Sequence, residues 1–113
     1  MKNRPVQVQE LIKQELGQII LREFEMPEDA LVTLTRVVAS GNLQEAKVFI
    51  SVVPDARASE VMKMLEQNVY NIQQMLNERL KMRPVPRIRW IAETAGAEAQ
   101  RIEGLLDQLK KEG

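Results

Sequence analysis

Apolar residues recur along this chain with two different periods, and the change from one period to the other divides it into elements. Val8, Leu11, Ile12, Leu16, Ile19, Ile20 and Phe24 stand three or four positions apart, the spacing that gathers side chains on one face of a helix. Pro5 suits a first turn, where its missing amide proton costs nothing, so a helix is predicted from Pro5 to Glu23. The segment Glu25 to Ala30 carries Met26-Pro27 among acids and reads as a loop. Two β-branched, alternating runs follow, LVTLTRVVAS from Leu31 and LQEAKVFISVV from Leu43, with Gly41-Asn42 between them. They predict a hairpin whose turn uses glycine for positive φ, with asparagine tolerating the same region. In the second strand Ala46, Val48, Ile50 and Val52 face one way, toward a core, and Lys47, Phe49, Ser51 and Val53 face the other.

The stretch around which these elements gather runs from Val61 to Trp90. Val61, Leu65, Val69, Ile72, Leu76 and Leu80 form one continuous apolar stripe, which predicts a helix from about Ala56 to Met82. Such a helix would be about 40 Å long at ~1.5 Å per residue, well beyond the usual length. A kink is therefore expected at residues 67 to 71, where Asn68 and Asn71 compete for backbone hydrogen bonds. Arg83-Pro84-Val85-Pro86 stops the helix, with Arg83 and Val85 held extended by the prolines that follow them. Arg87-Ile88-Arg89-Trp90-Ile91 alternates like a strand, Thr94-Ala95-Gly96 ends it, and Ile102, Leu105, Leu106 and Leu109 predict a closing helix. The order helix, strand, strand, kinked helix, strand, helix is that of an α+β fold with a three-stranded sheet, one domain over residues 1–113.

Composition narrows what such a domain does. The chain has neither cysteine nor histidine, so it lacks the commonest zinc ligands and the usual general base near neutral pH. No cofactor, metal site or catalytic constellation is expected, and an enzyme is disfavoured. No apolar run approaches the ~18 residues that span a bilayer, and the N-terminus lacks a signal core, so a cytoplasmic protein without membrane contact is expected. Sixteen basic residues balance sixteen acidic ones, which argues against binding nucleic acid by overall charge. Yet Arg79, Lys81, Arg83, Arg87 and Arg89 occur within one short run that holds no acid.

That run is either a set of phosphate contacts or a solvated helix end, where cations also favour the C-terminus. Five cations without a neighbouring acid favour a binding surface, and at least one of the two strand arginines should face solvent. At the expected kink, Asn68, Tyr70 and Asn71 could bond to or stack on an unpaired base, or Tyr70 could cover the core's edge with its hydroxyl in water. Both readings stay open. Trp90 is assigned to the core and Phe49 is a second-choice stacking platform on the open sheet face. Met62, Met64, Met75 and Met82 are core fillers, and Glu28-Asp29 are loop charges.

The order of elements resembles a type II KH domain, and the local strings are similar to the ribosome-binding factor A family. The similarity rests on RPVQVQELIKQELGQIILREF in the first helix and on Leu43 with Ala46-Lys47-Val48-Phe49-Ile50-Ser51 in the second strand. It continues in Leu80-Lys81-Met82-Arg83 with Pro86, and in Arg101-Ile102 with Leu105-Leu106. The family bends its long helix at an Ala-x-Gly step, and the matching positions here are Asn68-Val69-Tyr70. Its following arginine is Gln73, its aspartate after the hairpin turn is Asn42, and its Asp-x-Ser is Glu93-Thr94-Ala95. The resemblance implies a non-catalytic assembly factor that binds 16S rRNA in the immature 30S subunit and assists its maturation. It also implies a monomer when free and room for an assembly GTPase beside it. The rival reading is a KH-like protein-interaction or self-associating module that has lost RNA binding, which the missing glycine and neutral net charge permit.

Overall fold

The computed structural model describes residues 4–93. Helix α1 spans Arg4–Glu23, strands β1 and β2 span Leu31–Ala39 and Glu45–Val53, and a short 3₁₀ turn at Asp55–Arg57 leads into α2, Ala58–Gln67. Helix α3, Val69–Arg79, and strand β3, Arg87–Ala92, complete the described part. The expected closing helix with Ile102, Leu105, Leu106 and Leu109 lies outside the described residues, as does the Thr94-Ala95-Gly96 break.

The sheet order is β1-β2-β3, with β1 antiparallel to β2 and β3 parallel to it. The parallel pair needs a crossover, which α2 and α3 supply. Helices cover one face, where Ala46, Val48, Ile50 and Val52 are fully buried as their alternation predicts. Val8, Ile12, Leu16 and Ile19 of α1 meet them, while Leu11 departs from the predicted stripe and is 41% exposed at the flank of α1. The long stripe holds: Val61, Leu65, Ile72, Leu76 and Leu80 are all buried and Val69 packs half-buried against them. The four methionines named above are half-buried against the same core. No helix among the described residues is long and apolar enough to cross a membrane.

Two local details differ from expectation. The hairpin turn takes its positive φ at Leu43 (φ 59°) and not at a glycine. Ser40 Oγ and Asn42 Oδ1 instead accept the amides of Gln44 and Glu45 that the tight loop leaves over, which offsets the strain at Leu43. The long helix also ends at Arg79, short of Met82, because Leu80 turns extended (φ −95°, ψ 140°) and buries its side chain in the core. A bulge between Leu34 and Arg36 leaves Thr35 unpaired in the ladder, and its Oγ1 donates to the Phe49 carbonyl at 3.2 Å. On the loop side, Arg57 joins Asp29 (2.7 Å) to Glu60 (3.0 Å), and its guanidinium holds the Asp29 carboxyl below its ordinary pKa.

Candidate nucleic-acid interface

The helix breaks at Asn68, inside the predicted window, and it does so without glycine. Asn68 sits at φ −107°, ψ 9°, in the bridge region that any L-residue can enter. Its amide is shared between the Met64 and Leu65 carbonyls at 3.1 and 3.3 Å, and its Nδ2 donates to Met64 O at 2.8 Å. Its own carbonyl accepts from Ile72 at 2.9 Å and so starts α3. The side chain thus adds a second donor to the Met64 carbonyl that the Asn68 amide already serves, and so fastens the end of α2. Just past the break Tyr70 stands 70% exposed and Asn71 is exposed too. Tyr70 therefore does not cover the core's edge, and its ring is open to a partner.

Strand β3 lies at the edge of the sheet beside this break. Ile88 and Trp90 point into the core at 3% and 8% exposure, so the alternation turns Arg87 and Arg89 together to the opposite face, both exposed. A depression lined by Glu66, Val69, Arg87, Arg89 and Trp90 connects the helix break with the strand. A second one, lined by Gln73, Asn77, Arg83, Pro84 and Arg87, lies between α3 and the segment 80–86. Arg87 borders both. Trp90 closes the floor of the first, and its indole N–H has no acceptor among the described residues.

The five cations are not equivalent. Arg79 turns to α1 and bonds Glu15 at 3.2 Å and Gln18 at 3.1 Å, its side chain 30% exposed. Arg83 donates through Nη1 to the carbonyls of Leu80 (2.7 Å) and Met82 (2.6 Å), tying the segment after α3. Arg89 pairs at 3.4 Å with Glu45 of the neighbouring strand, both ends exposed. Lys81 and Arg87 are exposed and form no ion pair among the described residues. Arg87 and Arg89 thus come together with the helix break and Arg83 joins Arg87 at the second depression, whereas Arg79 belongs to a helix–helix contact. On the open face the Arg36 guanidinium lies 4.1 Å over the Phe49 ring and reaches Glu93 at 3.4 Å. Phe49 is 8% exposed under it, which removes it as a stacking platform.

The sequence marked one residue of this region, Gln73, only as the place where the family it resembles carries an arginine. Gln73 bonds Pro86 O, Ile88 N and Asn77 Oδ1, yet its position on the helix gives no sign that a strand edge lies opposite. Of these partners only Asn77, at a four-residue spacing, was there to be read.

The comparisons with known proteins agree with one another. The family model described as ribosome-binding factor A matches residues 4–106. Ribosome-binding factor A of Halothermothrix orenii is 34% identical over 112 residues, covering 98% of this chain and 92% of that protein. The crystal structure of ribosome-binding factor A from Thermus thermophilus superposes with a TM-score of 0.66 at 18% identity, over 80% of this chain and 97% of that one. A homology model of the Thermus thermophilus factor, fitted into the cryo-EM map of a 30S complex, gives a TM-score of 0.58 at 18% identity, over 78% of this chain and 89% of that one. At this identity the two structures speak for the fold.

Proposed function

The chain belongs to the ribosome-binding factor A family, and on that premise we propose that it binds the small ribosomal subunit as a non-catalytic assembly factor, through 16S rRNA. The observation that carries the reading is the meeting of exposed cations with the helix break: Arg87 and Arg89 stand on an edge strand that shares a depression with Val69, beside Asn68 and Tyr70. Guanidinium groups on such an edge suit phosphate oxygens. An exposed tyrosine and two amides next to them suit the face and edge of an unpaired base. Affinity and register would come from Lys81, Arg83, Arg87 and Arg89, base preference from Asn68, Tyr70 and Asn71.

Assistance to the maturation of the immature 30S subunit follows as a binding role, by stabilising one arrangement of the rRNA over others. The Thermus thermophilus factor is described in a 30S complex, which makes the small subunit the first partner to test. A self-associating protein module is the second reading, favoured by Arg79 and Arg89 already having acidic partners. Sedimentation through a sucrose gradient with purified 30S or 50S subunits separates the two. The protein should travel with 30S and not with 50S at low salt. Migration at the free position with both subunits, or as a larger species without either, would favour the second reading.

A further inference from the structure

We infer that Gln73 is a positioning residue for Arg87: its carboxamide locks the outer edge of β3 on both sides of that arginine and fixes the base from which the guanidinium reaches a phosphate. The inference deepens the ribosome-binding reading and rests on it.

An edge strand leaves one row of backbone groups without partners. On its inner side β3 is held by β2, and the Arg87 amide donates to the carbonyl of Gln44, the residue just before that strand, at 2.9 Å. On its outer side Gln73 stands in for a missing strand. Its Oε1 accepts the Ile88 amide at 2.9 Å and its Nε2 donates to the Pro86 carbonyl at 3.1 Å. A carboxamide offers a donor and an acceptor side by side, as a peptide group does, and so completes one rung of the ladder. The second Nε2 proton goes to Asn77 Oδ1 at 3.1 Å, one turn further along α3, which fixes the orientation of the amide.

The residues bracketed by this rung are Pro86 and Ile88, whose side chains are both in the core. Arg87 is the residue between them. Its backbone is hydrogen-bonded to Gln44, just before β2, on one side, framed by Gln73 on the other, and anchored by buried neighbours before and after. A charged side chain on a fixed base loses less freedom when it binds, so more of its contact energy appears as affinity. A comparison exists within the same sheet: on the opposite edge the Ala39 amide donates to Gln9 Oε1 at 3.0 Å. That glutamine makes one bond, and no cation adjoins the residue it holds, so it serves as the purely structural control.

The test is a double-mutant cycle on 30S binding, combining Gln73→Met, close in size but without either hydrogen-bonding group, with Arg87→Ala. Amide exchange of Ile88 in the free protein is followed alongside, and Gln73→Ala replaces Gln73→Met if the latter does not fold. Gln73→Met should weaken binding about three- to tenfold in the wild-type background, a usual size for coupled neighbours, and by less than about twofold when Arg87 is already alanine. Ile88 exchange should quicken, because its amide loses its acceptor. Gln9→Met should leave affinity within about twofold, as expected for a site away from the contact. Equal losses in both backgrounds, or unchanged affinity with Gln73→Met, would overturn the inference while leaving the ribosome-binding reading intact. If Arg87→Ala alone leaves the binding of a folded protein unchanged, Arg87 is removed from the contact and the inference falls with it.

Discussion

Arg79 and Arg87 carry the same side chain and differ in what surrounds them. Arg79 faces Glu15 across α1 and α3, in a bridge whose side chains are 30% and 21% exposed, whereas Arg87, although Glu45 stands opposite it in the ladder, forms no ion pair among the described residues. The short run holding both shows five cations and no acid, but Glu15 lies 64 positions away in sequence and only folding brings it near. That is why a count of charges along the chain overstates the free ones. Arg79→Ala should lower stability by about 0.5–1 kcal/mol, a value held down by partial solvent screening. It should leave the salt dependence of 30S binding unchanged. Urea denaturation checks the first part, and binding across a salt series checks the second. A lower slope for this variant would return Arg79 to the contact surface.

At the scale of elements, the break at Asn68 shows how a long helix is divided without glycine. The apolar stripe runs unbroken through it, from Val61 and Leu65 to Ile72 and Leu76, so both halves dock on one core. The backbone needs only a negative-φ bridge conformation, which asparagine enters while its amide serves Met64 O. The described helices and their stripes were legible because burial imposes its period directly on the sequence. The turn at Leu43 and the bulge at Thr35 were not, since both depend on how β1 twists against β2. Leu76 is fully buried and Leu21 is 82% exposed, which separates two substitutions of identical chemistry. Leu76→Asp should unfold the protein, since an unpaired buried carboxylate costs several kcal/mol, comparable to total stability. Leu21→Asp should change stability by no more than about 0.5 kcal/mol. Thermal melts followed by circular dichroism check both. A cooperative melt near the wild-type temperature for Leu76→Asp would refute the core described here.

At the scale of the whole molecule, the proposed interface is made by topology. The crossover through α2 and α3 returns the chain to lie parallel to β2, and this puts Arg87 and Arg89 beside the helix break. The alternation of residues 87–91 was enough to predict that a strand arginine faces solvent. The sheet order that gives those arginines their neighbours was not readable, because strand pairing leaves no local mark on a short edge strand. The central claim is that this basic edge holds the small subunit by its phosphates, and the salt dependence of binding tests it most directly. Lys81, Arg87 and Arg89 are exposed, and the Arg89–Glu45 pair is open enough at 64% and 50% exposure to yield to a phosphate. The measurement is the affinity of wild type and of the Lys81→Ala, Arg87→Ala, Arg89→Ala variant for purified 30S subunits over a salt series. Circular dichroism confirms that the variant is folded. Each lost phosphate contact removes roughly 0.7–0.9 from the log–log slope, so the slope should fall by about 2–2.7 together with the affinity. An unchanged slope and affinity in the folded variant would contradict the account.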